Sequence, residues 1–110
     1  MTVNDCIKLV DAMTPNCLDA FVKLRFLKEI EGQVQVELLG QEPGSTLSLD
    51  DGRHGDTELI APHPFDRLYL LYVTAMMDYL NGDVSRFENG AALFNRVYQS
   101  YGKWLRRRGD

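Results

Sequence analysis

Between positions 64 and 82 the chain is apolar or aromatic on almost every side: Leu68, Tyr69, Leu70, Leu71, Tyr72, Val73, Ala75, Met76, Met77, Tyr79 and Leu80 follow one another with few interruptions. Pro64 suits the first turn of a helix, Asp66 sits near the positive helix end, and Asn81 with Gly82 makes a natural left-handed stop. A helix that is hydrophobic all round must be surrounded. A chain of 110 residues has little material with which to do that, and a second chain packed against this helix is one solution. The run is far shorter than the ~18 residues a spanning helix needs, so no membrane contact is expected.

The remaining segments read as helices that would do the surrounding. Thr2, with Asp5 three positions on, forms a capping box for a first helix; Val3, Ile7 and Val10 share a face, and Pro15 ends it. Asp19 would cap a second helix reaching Leu39. Its apolar positions Leu24, Leu27, Ile30, Val34 and Leu38 keep helical spacing, while Glu29, Glu31 and Gln35 fall on other faces and Gly40 stops it. A fourth helix starts near 83–85 and runs to about Arg107. Phe87, Ala91, Phe94, Tyr98, Tyr101 and Leu105 form its seam of nearly heptad period, widened by Leu93, Val97 and Trp104. Between the second and third helices, 41–62 turns polar and is punctuated by Pro43, Gly44, Gly52, Gly55 and Pro62. There Thr46-Leu47-Ser48-Leu49 alternates and Thr57-Glu58-Leu59-Ile60 would pair with it in a short hairpin over 50–56. The fold expected is therefore mostly α: one domain over 1–110, a bundle of about four helices with a long loop or short β-hairpin between the second and third.

Charge excludes some functions and frames others. The formal net charge is -4, which argues against a general nucleic-acid binder. It is unevenly spread: residues 1–95 hold 7 basic and 15 acidic side chains, whereas 96–110 hold 5 basic and 1 acidic. The cations Lys103, Arg106, Arg107 and Arg108 cluster at the end of the fourth helix, where they suit the negative helix end. They would equally meet an acidic protein or phosphates. Trp104 and Tyr101 among them favour an interface, since Trp, Tyr and Arg are its usual anchors. Cys6 and Cys17 are not spaced as a redox pair, and without a basic and apolar leader they are expected as free thiols in a reducing compartment.

Catalytic chemistry finds little purchase. Asp50-Asp51-Gly52-Arg53-His54-Gly55-Asp56 is the one cluster resembling a site, but its spacing matches neither a calcium loop nor a zinc set. Asp and Gly are turn formers in their own right. His63 lies between two prolines at the helix start, no nucleophile setting is visible, and no glycine-rich phosphate loop occurs. The chain is expected to be no enzyme and to hold no cofactor or metal.

The order of several motifs resembles a known group. Leu9-Val10-Asp11, Pro15-Asn16 and the run from Lys23 through Leu24-Arg25-Phe26-Leu27-Lys28-Glu29-Ile30-Glu31 to Gly32 resemble the first half of small head–tail connector proteins, also called adaptors or head-completion proteins, of tailed phages and prophages of Gram-positive bacteria. Ala61-Pro62-His63-Pro64-Phe65-Asp66, Tyr69, Tyr72 and Met77-Asp78-Tyr79-Leu80-Asn81-Gly82-Asp83 resemble their third-helix region. Phe94-Asn95, Tyr98, Tyr101, Trp104 and Arg107 resemble their ending. Phe26 replaces an expected Trp and Leu105 an expected aromatic, both apolar exchanges. The resemblance spans roughly 5–40 and 60–108.

It implies a structural virion protein made in the bacterial host cytoplasm and placed in the virion neck. There a ring of about a dozen copies would sit between the portal protein and a tail-completion or stopper protein, let DNA pass, and touch packaged DNA non-specifically. Under that expectation Lys103, Arg106, Arg107 and Arg108 face portal or DNA, and Tyr69, Tyr72, Met76, Phe94, Tyr98, Tyr101 and Trp104 form the contact between subunits. The competing reading is a small dimeric helical regulatory or protein-binding module, because one aromatic seam would serve a two-fold dimer as well.

Overall fold

The computed structural model describes residues 1–42 and 57–108, and it is a mostly helical bundle of four helices with no strand among those residues. The alternating 46–49 segment, the hairpin over 50–56 and the acidic cluster lie outside the described residues. Helix α1 spans Val3–Met13 and begins as expected. The Thr2 hydroxyl accepts from the Asp5 N–H, and the Asp5 carboxylate accepts from the Thr2 N–H, each at 3.1 Å. The same contacts hold the Asp5 carboxyl below its ordinary value. Thr14, forced into an extended conformation before Pro15, ends the helix.

The connector to the next helix is organised by Asn16. Its amide donates to the Asp11 carboxylate at 3.1 Å and to the Thr14 carbonyl at 2.9 Å, and its oxygen accepts from the Leu18 N–H at 3.2 Å. Buried Lys23 reaches back to Asp11, and that bond, ahead of the one from Asn16, lowers the Asp11 carboxyl. Helix α2, Ala20–Gln33, is capped by Asp19, whose carboxylate accepts from the Phe21 N–H at 2.9 Å. The helical path continues as expected, but over Val34–Leu38 it widens into one π turn, with the Leu39 N–H bonded to the Val34 carbonyl at 3.1 Å. Gly40 then takes φ +69. Leu27, Ile30 and Val34 are buried on the predicted stripe.

Helix α3, Arg67–Leu80, starts later than the sequence suggests. Pro64 follows a cis bond in a turn closed by the Phe65 N–H on the Pro62 carbonyl at 2.8 Å, so it precedes the helix instead of opening it. Helices α1 and α2 pack on α3, as does the last helix, α4, spanning Val84–Arg108. Leu68, Tyr69, Val73, Ala75 and Met77 are buried as a result. The chain's own helices thus cover most of the apolar helix, for which a second chain is one solution on sequence grounds. Gly90 permits the closest approach: a Cβ there would lie 3.3 Å from the Ala75 Cβ.

The link between α3 and α4 follows from three residues. The Asp83 N–H bonds to the Asp78 carbonyl at 3.0 Å and the Gly82 N–H to the Tyr79 carbonyl at 3.1 Å, closing α3 with Gly82 at φ +74. Asp83 then caps α4, its carboxylate accepting from the Arg86 N–H at 3.2 Å. An added Cβ at Gly82 meets nothing within 4 Å, so the cost of a side chain there is purely conformational. Gly82→Ala is expected to lower stability by about 1–2 kcal/mol, read as a lower urea midpoint at unchanged slope.

Segment 57–61 pairs with the N-terminus. The Val3 N–H donates to the Thr57 carbonyl at 3.0 Å, and the Leu59 N–H to the Met1 carbonyl at 2.9 Å, around an antiparallel bridge of Thr2 with Glu58. The sequence suggested 46–49 as its partner, which lies outside the described residues. Edge hydrogen-bonding capacity is legible in a strand-like segment, but its partner depends on which backbone the helices bring alongside.

Candidate docking surfaces at the two ends of the bundle

The hydrogen bonds fix the direction of each helix. Helices α1 and α3 both set out from the 57–66 segment, since Val3 bonds Thr57 and the Tyr69 hydroxyl accepts from the Ala61 N–H at 2.8 Å. Helix α2 returns towards that segment: Lys23, near its start, meets Asp11 late in α1, and Glu31, near its end, meets Ile60. Helix α4 returns there too, because Phe65 packs on Tyr101 and Trp104 at ring distances of 5.3 and 5.5 Å. One end of the bundle, the base, therefore holds 57–66 and the C-terminal turns of α4. The far end holds the α1–α2 connector and the α3–α4 turn.

A buried acid anchors the base. Glu31 is 2% exposed; one carboxylate oxygen accepts from the Tyr69 hydroxyl at 2.6 Å and the other from the Ile60 N–H at 2.9 Å. Burial holds the Glu31 carboxyl above its ordinary value, and the two donated bonds pull it only partly back. Burial first, then the nearby Glu31 charge, raises the Tyr69 phenol strongly. The sequence places Glu31 off the apolar stripe, on another face of α2. It is buried because the 59–61 segment folds over that side. This is a positioning network, holding the chain between α2 and α3 against the bundle.

The basic cluster lies where the sequence places it. Lys103, Arg106, Arg107 and Arg108 are all exposed at the base, and none of them forms an ion pair among the described residues. The Arg108 guanidinium lies 5.2 Å from the Trp104 ring centre, and Trp104 stacks on Tyr101 at 6.0 Å. The aromatic platform thus steadies the root of a charged helix end. Lys103 and Arg106 also border a shallow cleft of 230 Å³ against Glu37 and Leu38 of the π turn.

The aromatic residues expected between subunits divide differently. Tyr69, Phe94, Tyr98 and Tyr101 are buried inside this one chain. Tyr72, Met76 and Trp104 are half-buried and pack against the core. Tyr72 donates to the Glu29 carboxylate at 3.0 Å; burial first, then this bond, pushes its phenol up to about 12. The Tyr98 hydroxyl lies near Glu37 and Gln33 but closes no hydrogen bond of normal geometry. An aromatic seam has the same spacing whether it meets a helix of its own chain or of another, and here its own α3 takes it.

Other side chains make up the free surface. At the base, Phe65, Leu71, Leu93 and Val97 line a groove of 370 Å³ between α3 and α4, with Arg67 and Arg96 beside them. From Asn89 to Arg108 the helix carries five cations and no carboxylate, a signal open to sequence reading that points to this flank. At the far end the exposed apolar side chains gather: Met13, Phe21, Tyr79, Leu80 and Val84 are each more than half exposed. Tyr79, Val84, Phe87 and Glu88 line a cavity of 380 Å³ there, with the Tyr79 and Phe87 rings 5.4 Å apart. Both thiols are free; Cys6 is buried, which raises it to about 12, and Cys17 is exposed. Among the described residues no three of His, Cys, Asp and Glu come together in a metal-binding group, and no helix is long and apolar enough to cross a membrane. No family model, no curated protein and no solved structure matches this chain.

Proposed function

We propose that this chain is a non-catalytic structural subunit that works by docking: a head–tail connector of the tailed-phage kind, self-associating into a ring between portal and tail and letting DNA pass. The observation that carries this reading is the division of the bundle into two chemically unlike ends. A subunit in a stack of rings needs one contact with the component above, another with the component below, and side-to-side contacts with its own copies. The cationic end of α4, rooted on Trp104 and Tyr101, supplies a charged contact, and the exposed apolar end supplies a desolvating one. The resemblance of the motif order to that of connectors supports the same reading.

Light scattering of the purified protein over a range of concentrations, with and without a portal ring, tests it. A ring-sized species, or a monomer recruited at about one copy per portal subunit, is the expected result. A concentration-independent dimer that ignores the portal overturns the connector reading and favours a regulatory module. Within the proposal, changing Arg106, Arg107 and Arg108 together to Ala is expected to weaken portal recruitment by about tenfold or more and to flatten its salt dependence. The bundle should stay folded, because all three side chains are exposed. Tailed, infectious particles assembled normally from this variant would sink the assignment of these cations to the portal.

A further inference from the structure

The two cavities at opposite ends of the α3–α4 hairpin are similar in size and opposite in charge. The base groove, 370 Å³, has an apolar floor of Phe65, Leu71, Leu93 and Val97, and its charged side chains are Arg67 and Arg96. Neither arginine has an ion-pair partner among the described residues. The far-end cavity, 380 Å³, is lined by Tyr79, Val84 and Phe87, and its charged side chain is Glu88. Val84 is 65% exposed and Leu93 is 43% exposed, so each cavity presents a large aliphatic side chain that none of the described residues covers.

Their placement on α4 decides what kind of contact they make. An α-helix advances by about 100° per residue. The buried seam of Phe94, Tyr98 and Tyr101 therefore has Leu93 and Val97 on one flank and Val84 and Glu88 on the other. Two complementary patches that face opposite ways about α4 cannot both meet the same partner, so they do not close a two-fold pair. They form a head-to-tail contact, which propagates until the rotation between copies closes a ring.

We infer that the Tyr79–Val84–Phe87 end of one copy seats in the Leu71–Leu93–Val97 groove of the next, with Glu88 directed at Arg67 and Arg96. This rests on the self-associating reading above and deepens it by naming both halves of the contact. The occupant of the groove is a second copy because the chain itself carries a surface of matching chemistry: exposed apolar side chains, Tyr79 and Val84, beside a charge of opposite sign, Glu88.

A pair of variants tests it. Val84→Asp blocks the far end and suits the first turn of α4, where an acid is welcome. Leu93→Asp blocks the groove, and Arg96→Glu, at an exposed position, serves as a second groove variant should Leu93→Asp lose helical signal by circular dichroism. Masses are measured by light scattering or sedimentation. The wild type is expected to assemble with concentration, each variant alone to associate at least about 30-fold more weakly, and a one-to-one mixture of far-end and groove variants to stop at twice the 12.5 kDa monomer mass. That mixture retains one intact far end and one intact groove, which make a single contact. A variant that assembles like the wild type, or a mixture that remains monomeric while the wild type assembles, overturns this contact and leaves self-association standing. A wild type that is monomeric at every concentration, alone and with the portal ring, overturns both.

Discussion

Tyr69→Ala is expected to cost about 4 kcal/mol, a large share of the ~5–15 kcal/mol a domain of this size possesses. Tyr69 is fully buried where α3 meets α2 and the 59–61 segment, so truncation leaves a ring-sized cavity. It also removes the hydroxyl that donates to Glu31 at 2.6 Å and accepts from the Ala61 N–H at 2.8 Å. Tyr69→Phe separates the two losses. It keeps the ring and deletes the hydroxyl, leaving a buried N–H and a buried carboxylate oxygen short of a partner at about 1–3 kcal/mol. Urea midpoints at constant slope read both values. A Phe variant as stable as the wild type would show that water replaces the hydroxyl, and the anchoring role of the network would fall.

Glu31→Gln is expected to change the pH dependence of stability more than stability at any single pH. Burial raises the Glu31 carboxyl above its ordinary 4.5, so folding favours its neutral form relative to the unfolded chain. Its stabilising contribution is full below 4.5 and is lost as pH rises through the raised value. Asp5 and Asp11 behave oppositely: both are lowered from 3.8, so their contributions are present above that value and lost as pH falls through the lowered ones. The two windows do not overlap. From about pH 4 to pH 8 the wild type should lose stability relative to the Gln variant, by about 1.4 kcal/mol for each unit by which the carboxyl is raised. Glutamine has one acceptor oxygen for two donors, so the variant should be the weaker protein at the acid end of that range. Parallel denaturation curves across the range would refute the assignment of Glu31 as a buried, raised carboxyl.

The helices are legible in the chain because their signals are local. Thr2 with Asp5, Asp19, and Asn81-Gly82-Asp83 cap or stop helices through bonds spanning a few residues, and such chemistry survives any tertiary arrangement. The apolar stripe of α2 and the seam of α4 were legible for the same reason, as was the cationic end of α4. Two readings near helix ends needed more than local chemistry. Pro64 suits a helix start, but it lies in a turn closed by the Phe65 N–H on the Pro62 carbonyl, and the widening of Val34–Leu38 into a π turn leaves no mark in side-chain periodicity.

What each face meets depends on how the helices pack in three dimensions. The aromatic seam of α4 and the all-round apolar α3 carry the same residues whether they pack within one chain or between two. Here they pack on each other, which buries Tyr69, Phe94, Tyr98 and Tyr101. Periodicity sets Glu31 off the apolar stripe of α2 but carries nothing of the 59–61 segment laid over it, because it reports only the angle of a side chain about its own helix axis. The groove beside Arg67 and Arg96 was hidden in turn, since Arg67 and Arg96 are far apart in the chain and share a site only once α3 and α4 run antiparallel. Local hydrogen bonds and periodicity fix elements; burial is a property of the surfaces that other elements cover, and a linear pattern does not contain it.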